Sequence, residues 1–570
     1  MKDRTKPLFA FAMLLTIIVL VACGGASQPT EEEQPSEPAD ADSEPAEEEP
    51  APAEDTEEPA EEPAEPMEEM GGGTLTVGLA VEPVSLDPAA GLYLHEHLVL
   101  MNIYDTLISV DGDGNLHPGL ATDWSVSDDG TEFALTLRDD VTFHDGTPFD
   151  ADAVKFAFDR IVEGDFGAAT APTILAGYVE TVVNDPTSVT VVFDTPKPTF
   201  LLDLTRYWMG IPSPTAVAEQ GDAFGQNPVG TGPFVFSEWA AQDHVTLTRN
   251  PDYDWAPETM AHSGPAYLDE ITFRFLPEAA TRLVALQTGE IQVAEEPPGL
   301  EVQPLLDTGD YQLETFASPG MPSHMMINVE KPPTDDINVR LAMIYAINQE
   351  ELNQIAFNGL MSPAYSVLSP STWGYDEASA SLYRYDPDKA KQLLEDAGWV
   401  DENDDGIRER DGETLTVVYP AIPAYEEAYM ELVAGYLNEV GFDVELLTMD
   451  DAGVFEFGNA GNHNFLNMGW ISSDPAVLDY VYNSANIESG SAFTRFVDPE
   501  LDQALVDAQS ELDADARRAL YVRIQEIIME NALVMPLHTY NQVMLLSSSV
   551  QGWQFNFEGY PLLYDVTLAE

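Results

Sequence analysis

Apolar positions alternate along Thr74-Leu75-Thr76-Val77-Gly78-Leu79-Ala80, and this period of two predicts a first strand. Trp124-Ser125-Val126 and Phe133-Ala134-Leu135-Thr136-Leu137 flank Asp129-Gly130, a pair suited to a hairpin turn. From Asp150 to Ile161 the period lengthens, and Val154, Phe158 and Ile161 share one helical face behind an acidic start. The sharpest helix is predicted over 387–397. Asp386 caps it, Pro387 opens it, Leu393, Leu394 and Ala397 form its apolar side, and Gly398 ends it. Helices closed by glycine recur over 280–288, 349–357 and 425–439. After Gly441, Phe442-Asp443-Val444-Glu445-Leu446 reads as a half-buried strand. Amphipathic helices over 499–509 and 513–531 and strands over 533–536 and 542–546 complete the pattern. Helix, glycine, strand is the grammar of an α/β fold.

The first 70 residues break this pattern. Lys2, Arg4 and Lys6 precede an apolar stretch from Leu8 to Val21, too short for a comfortable membrane span. It ends in Leu20-Val21-Ala22-Cys23-Gly24, which resembles a bacterial lipobox. The resemblance implies cleavage before Cys23 and a lipid on its thiol, so 1–23 is read as a lipoprotein signal peptide. The expected location is the cell envelope, on the outer face of the cytoplasmic membrane or in the periplasm, with the membrane reached through the lipid alone. Residues 27–70 hold 19 Asp/Glu, 9 Pro and no Lys or Arg. Like charges repel, Pro blocks helix and little is available to bury, so 24–72 is expected to be a disordered linker.

Charge then narrows the function. The 570 residues carry 22 Lys+Arg against 101 Asp+Glu, a net of −79. Beyond residue 70 the balance is 81 acidic to 19 basic, so the body alone carries −62. Phosphate backbones need cations, so nucleic acid is excluded as a partner. Cys23 is the only cysteine, which excludes disulfides and Cys-based metal sites. The chain has no Gly-x-Ser-x-Gly elbow and no phosphate loop, and no catalytic residues are expected. His95-Glu96-His97 would pair its imidazoles on a strand, but Leu98, Leu100 and Met101 favour a helix, with both histidines exposed near a loop. Asp401, Asn403, Asp405 and Ile407 stand at positions 1, 3, 5 and 7 of a calcium-loop pattern with Gly406 at 6, but Gly412 occupies position 12. Two readings stay open there, a structural calcium and a polar β-turn. No other cofactor is expected.

Four blocks, in order, resemble the extracellular solute-binding proteins of ABC importers, in the oligopeptide/dipeptide/nickel-binding branch called family 5. They are Pro118–Trp124 continuing to Phe143-His144-Asp145-Gly146, Asn227–Phe234 followed by Arg249-Asn250-Pro251-Asp252-Tyr253, Asn338-Val339-Arg340 leading to Ala346-Ile347-Asn348, and Tyr385-Asp386-Pro387 through Gly398-Trp399. Gly230 and Gly232 suit a tight turn with unusual backbone angles, and His144 reads as a hydrogen-bonded loop histidine. The resemblance covers nearly all of 74–570. It implies a two-lobed α/β clamp of the periplasmic-binding-protein type II kind with an extra subdomain. Lobe I would span 73–316, including a subdomain at about 111–225, lobe II 317–535, and 536–570 would return to lobe I. The crossings fall near Thr315–Ser318 and Pro536–Tyr540. Ligand would bind between the lobes, closure would follow, and an ABC permease with its ATPase would receive the closed, monomeric protein.

In peptide-binding members a Trp-x-x-Asp segment before an Asp-Pro supplies an acid for the peptide's α-amino group. Here the stretch is Gly469-Trp470-Ile471-Ser472-Ser473-Asp474-Pro475, with Ser473 at the acid's place and Asp474 in the following Asp-Pro. Trp470, Ser473 and Asp474 are therefore ligand-binding candidates. Position adds Met321 and His324 after the first crossing, Trp373 and Tyr375 in a Ser/Pro/Gly-rich loop, Tyr207 and Trp208, and Tyr93 after the first strand. An oligopeptide or similar polar solute is the expected ligand. A carbohydrate comes next, because loop aromatics suit sugar faces, and a nickel chelate third. A solute sensor or chaperone outside transport would use the same scaffold.

Overall fold

The computed structural model describes residues 72–91, 94–112, 114–166, 170–488 and 490–569. The signal segment, Cys23, Tyr93 and nearly all of the acidic linker lie outside them. Thr74–Leu79 is a strand that buries Leu75, Val77 and Leu79, as its alternation requires. It pairs in parallel with Glu270–Phe275 on one side and Val293–Glu295 on the other. These two strands run the same way on either side of it, and the helix Ala279–Gln287 makes the crossover from one to the other. Antiparallel strands extend this sheet to seven, in the order Tyr311–Ala317, Asn541–Ser547, Val293–Glu295, Thr74–Leu79, Glu270–Phe275, His244–Arg249, Phe234–Ala240.

A second sheet is antiparallel, in the order Ser362–Pro363, Val534–Thr539, Gly320–Ile327, Phe465–Ile471. Every residue of Gly320–Ile327 is buried, because hydrophobic clusters cover both faces. Met325 and Ile327 belong to one cluster and Met326 to the other. Alongside, Thr416–Ala421 and Asp443–Thr448 pair in parallel around the helix Met430–Glu439. A third sheet, Ala121–Val126, Glu132–Leu137, Ser188–Phe193, Tyr178–Asp185, forms a separate antiparallel layer against the helix Ala151–Glu163. Its core is continuous with that of the first sheet.

The chain passes between the two main sheets twice. Tyr311–Ala317 ends in the first and Gly320–Ile327 begins in the second, and Val534–Thr539 hands back to Asn541–Ser547 through Tyr540. The crossings lie side by side, with Ser318 N donating to Tyr540 O at 2.7 Å. Ser369 Oγ donates to Ser318 O at 2.7 Å and Ser371 Oγ to Ala317 O at 2.6 Å, so one serine loop braces the pair.

Asp386 caps Pro387–Asp396 through Lys389 N at 2.9 Å, and Gly398 takes a φ of 84°. Two expectations change. The helix expected over 425–439 is two helices, Pro423–Glu426 and Met430–Glu439. Tyr429 breaks the run at φ −136°, where its ring is buried and its hydroxyl lies 3.3 Å from Ser323 Oγ. Gly230 and Gly232 lack positive φ angles; they are glycines because of close approach. A Cβ would fall 2.2 Å from Ile103 O at Gly230 and 2.6 Å from Ile103 C at Gly232. His144 Nε2 lies 2.9 Å from Gly232 O, and burial lowers its pKa to about 4.

Candidate functional site

Phe465–Ile471 is the last strand on its side of the second sheet, pairing inward with Met321 opposite Trp470 and Met325 opposite Asn467. Asn464, just before it, is tied to Val418: its backbone N donates to Val418 O at 3.0 Å, and Val418 N donates to its Oδ1 at 2.9 Å. From Leu466 onward, no described strand pairs with the outer edge. A pocket opens beside this edge, walled by Ile422, Val454, Phe455, Met468 and Gly469. Two acids reach it. Asp451 accepts from Tyr425 Oη at 2.9 Å. Glu426 is buried, accepts from Ile422 N at 2.7 Å and from Tyr419 Oη, and burial pushes its pKa up to about 7. Gly469 lies close against the second crossing, since a Cβ there would lie 2.6 Å from Tyr540 Oη.

At the end of the edge strand the two lobes meet. Arg206 stands between the helix Phe200–Asp203 and the 3₁₀ turn Tyr207–Met209. Its Nε donates to Glu558 Oε1 at 3.1 Å and its Nη1 lies 3.6 Å from Asp203 Oδ1, both on its own side. Its Nη2 donates across the gap to Ser473 Oγ at 2.5 Å. Next to it the His97 ring lies 4.1 Å from Trp208, with Tyr560 edge-on at 4.5 Å and Tyr207 edge-on at 6.0 Å. His97 is fully buried in the helix Leu94–Ile103, contrary to the expected exposed pair, and His95's side chain lies outside the described residues. Burial, with the nearby Arg206 charge, lowers the His97 pKa to about 3, so this imidazole is neutral. A second interlobe approach brings Leu512 under the hairpin turn, where a Cβ on Gly130 would lie 2.6 Å from it.

The remaining candidates divide sharply. Trp470 is half-buried, edge-on to Tyr480 at 5.7 Å, at the end of the edge strand. Asp474 is withdrawn from the cleft. Arg517 Nη1 and Nη2 donate to its two oxygens at 2.8 Å each, and Ala476 N donates to Oδ1 at 2.8 Å. Met321 is core. His324 is also buried, with Nδ1 2.7 Å from Pro322 O and Nε2 3.1 Å from Tyr482 Oη, and burial lowers its pKa to about 4. Trp373 covers Arg517 and Arg518, whose guanidinium carbons lie 5.2 and 5.0 Å from its ring, and Tyr375 packs on the same cluster. In the calcium-like loop the carboxylates turn onto the backbone. Asp401 accepts from Asp404, Asp405 and Gly406 N, Asn403 Oδ1 from Asp405 N, and Asp405 Oδ1 from Ile407 N. Among the described residues no group of three or more His, Cys, Asp or Glu side chains is placed to hold a metal ion.

The sequence reading passed over Arg206, Glu558 and Glu426, and took Tyr540 only as the end of a crossing. Scarcity was the one available signal for Arg206: it is among only 19 basic residues in the body and directly precedes two of the aromatics already singled out.

Residues 115–490 match bacterial extracellular solute-binding proteins, family 5 middle, and the chain belongs to this family. It is 30% identical over 485 residues to a probable di/tripeptide-binding protein 5 of Pseudomonas aeruginosa (strain UCBPP-PA14), covering 80% of this chain and 88% of that one. It is 30% identical over 483 residues to the glutathione-binding protein GsiB of Salmonella paratyphi A, covering 82% and 89%. The structure of HbpA2 from Haemophilus parasuis matches with a TM-score of 0.76 at 24% identity, over 87% of this chain and 100% of that one. The fold is thus the expected two-lobed type II clamp, and the protein is a solute-binding protein. No described helix is long and apolar enough to cross a membrane.

Proposed function

We propose that this protein is the extracytoplasmic binding component of an ABC importer, and that it takes a short peptide extended along Phe465–Ile471. The observation that carries the reading is the unpaired outer edge of that strand beside an apolar pocket, next to the point where the lobes meet. An edge strand offers a row of backbone donors and acceptors that fits any peptide, and the pocket takes one side chain. The di/tripeptide-binding and glutathione-binding relatives support the same class of solute. Closure about the paired crossings at Ser318 and Tyr540 brings the Arg206 side and the Trp470–Ser473 side against the ligand from the two lobes, and the closed form is what the permease and ATPase accept. On this reading 73–316 with 536–570 forms one lobe, 317–535 the other, and a lipid on Cys23 tethers both through the acidic linker.

Native mass spectrometry of protein purified without refolding tests the ligand class. Co-purified masses spaced as amino-acid residues are expected, and hexose spacing would overturn the peptide reading. The tether predicts that Cys23→Ser moves the protein from the membrane pellet to the soluble fraction; retention in the pellet would contradict it.

A further inference from the structure

Arg206 is a fixed positive charge at the interlobe contact. The carboxylates in contact with it, Glu558 and Asp203, belong to its own lobe, and Asp474 of the other lobe attracts it from further off, already paired with Arg517, whereas Nη2 points across the gap to Ser473 Oγ. Ser473 is buried, and its hydroxyl is an uncharged acceptor facing a guanidinium. Charge-assisted hydrogen bonds to carbonyl or carboxylate oxygens are stronger and, for arginine, often bidentate. A ligand ammonium at the same point would instead meet a guanidinium that does not deprotonate.

The surrounding rings add a second, independent observation. His97 Nδ1, His97 Nε2 and Trp208 Nε1 are buried, and none has a hydrogen-bond partner among the described residues. Buried polar atoms are usually satisfied, so unpaired ring nitrogens beside an interlobe arginine point to a missing polar partner. The body's −62 opposes anions at long range, but screening limits that field to ~8 Å at physiological salt. Glu558 and Asp203 balance the guanidinium locally, so at contact distance the directed Nη2–H donor, rather than net charge, selects an oxygen acceptor.

We propose that Arg206 seats an oxygen of the ligand, a carbonyl or carboxylate, at the position Ser473 Oγ fills, so that the end of the ligand reaching this point carries no free ammonium. The inference rests on the peptide reading above and assigns the polarity of one end of that site.

The test uses the purified full chain and three randomised tripeptide libraries: unmodified, N-acetylated and C-amidated. Occupancy is read by native mass spectrometry. The N-acetylated library is expected to bind within about threefold of the unmodified one, or better. A tenfold or greater loss on acetylation, with the unmodified library bound, would overturn the inference and leave the peptide reading standing. Binding of none of the three libraries would overturn both. Arg206→Met is expected to lower occupancy by the acetylated library at least tenfold while the unmodified library gains, because Asp203 and Glu558 then lose the guanidinium that balances them. Ser473→Asp, which keeps the arginine and saturates it from lobe II, is expected to cause the same tenfold loss with an unchanged melting temperature. Unchanged occupancy in a folded Ser473→Asp variant would overturn the inference whatever becomes of Arg206→Met.

Discussion

Asp474 and Trp470 are four residues apart and do different work. Asp474 forms a buried bidentate pair with Arg517, so removing the carboxylate leaves a guanidinium with no ionic partner in the core. Breaking one side of such a pair costs about 3–5 kcal/mol. Asp474→Ala is therefore expected to lower the unfolding free energy by that order, and the urea midpoint with it, whereas Trp470→Ala, half-buried at the end of the edge strand, should lower the midpoint less and weaken ligand binding. Chemical denaturation of the two variants checks this; a stable Asp474→Ala protein would contradict the assignment. The sequence showed that Asp474 sits in an Asp-Pro and that Ser473 stands in the acid's place. It could not show Arg517, because a pairing 43 residues apart leaves no local signal.

At the level of elements, caps were the most legible features. Asp386 accepts the backbone N–H its spacing predicts, and Asp150 and Asp513, read only as helix starts, cap their helices in the same way, because capping is decided within three or four residues. The 425–439 helix was misjudged because its break depends on where Tyr429 and Glu426 are buried, which only the tertiary packing decides. Glu426 carries a measurable consequence. Its folded pKa of about 7 lies above its ordinary 4.5, so the folded state keeps a proton that the unfolded chain has released. That contribution is complete below about pH 4.5 and is lost as pH rises to about 7, on the order of 3 kcal/mol in all. The difference in urea midpoint between the native protein and Glu426→Gln should therefore change across this window. A difference independent of pH would contradict a buried, protonated Glu426.

At the scale of the whole molecule, the buried histidines dominate the response to acid. His97 and His538 have pKa values lowered to about 3, and His144, His324 and His463 to about 4, in each case chiefly by burial. In the unfolded chain each titrates near 6.5, so the unfolded state binds more protons below that pH and stability falls as pH drops. Each contributes up to ~1.4 kcal/mol per pH unit between about 6.5 and its folded value. Glu426, Asp105, Asp203 and Glu314, raised by burial, work in the opposite direction, but they are four groups against five. The denaturation midpoint is expected to fall steeply from pH 7 to pH 5, and a flat profile would contradict the burial of these imidazoles.

The two-lobed plan itself was legible, since four ordered sequence blocks carried it. The proposed site was not, because it draws on 206, 422–426, 466–473 and 558–560, segments joined only by folding. The most direct test of the peptide site is hydrogen–deuterium exchange of the full chain with and without the unmodified tripeptide library. The account predicts new protection of the Leu466–Ile471 amides and of the segments around Arg206 and Glu558, with the 121–193 sheet unchanged. Protection confined to other surfaces, with the edge strand exchanging as before, would contradict it.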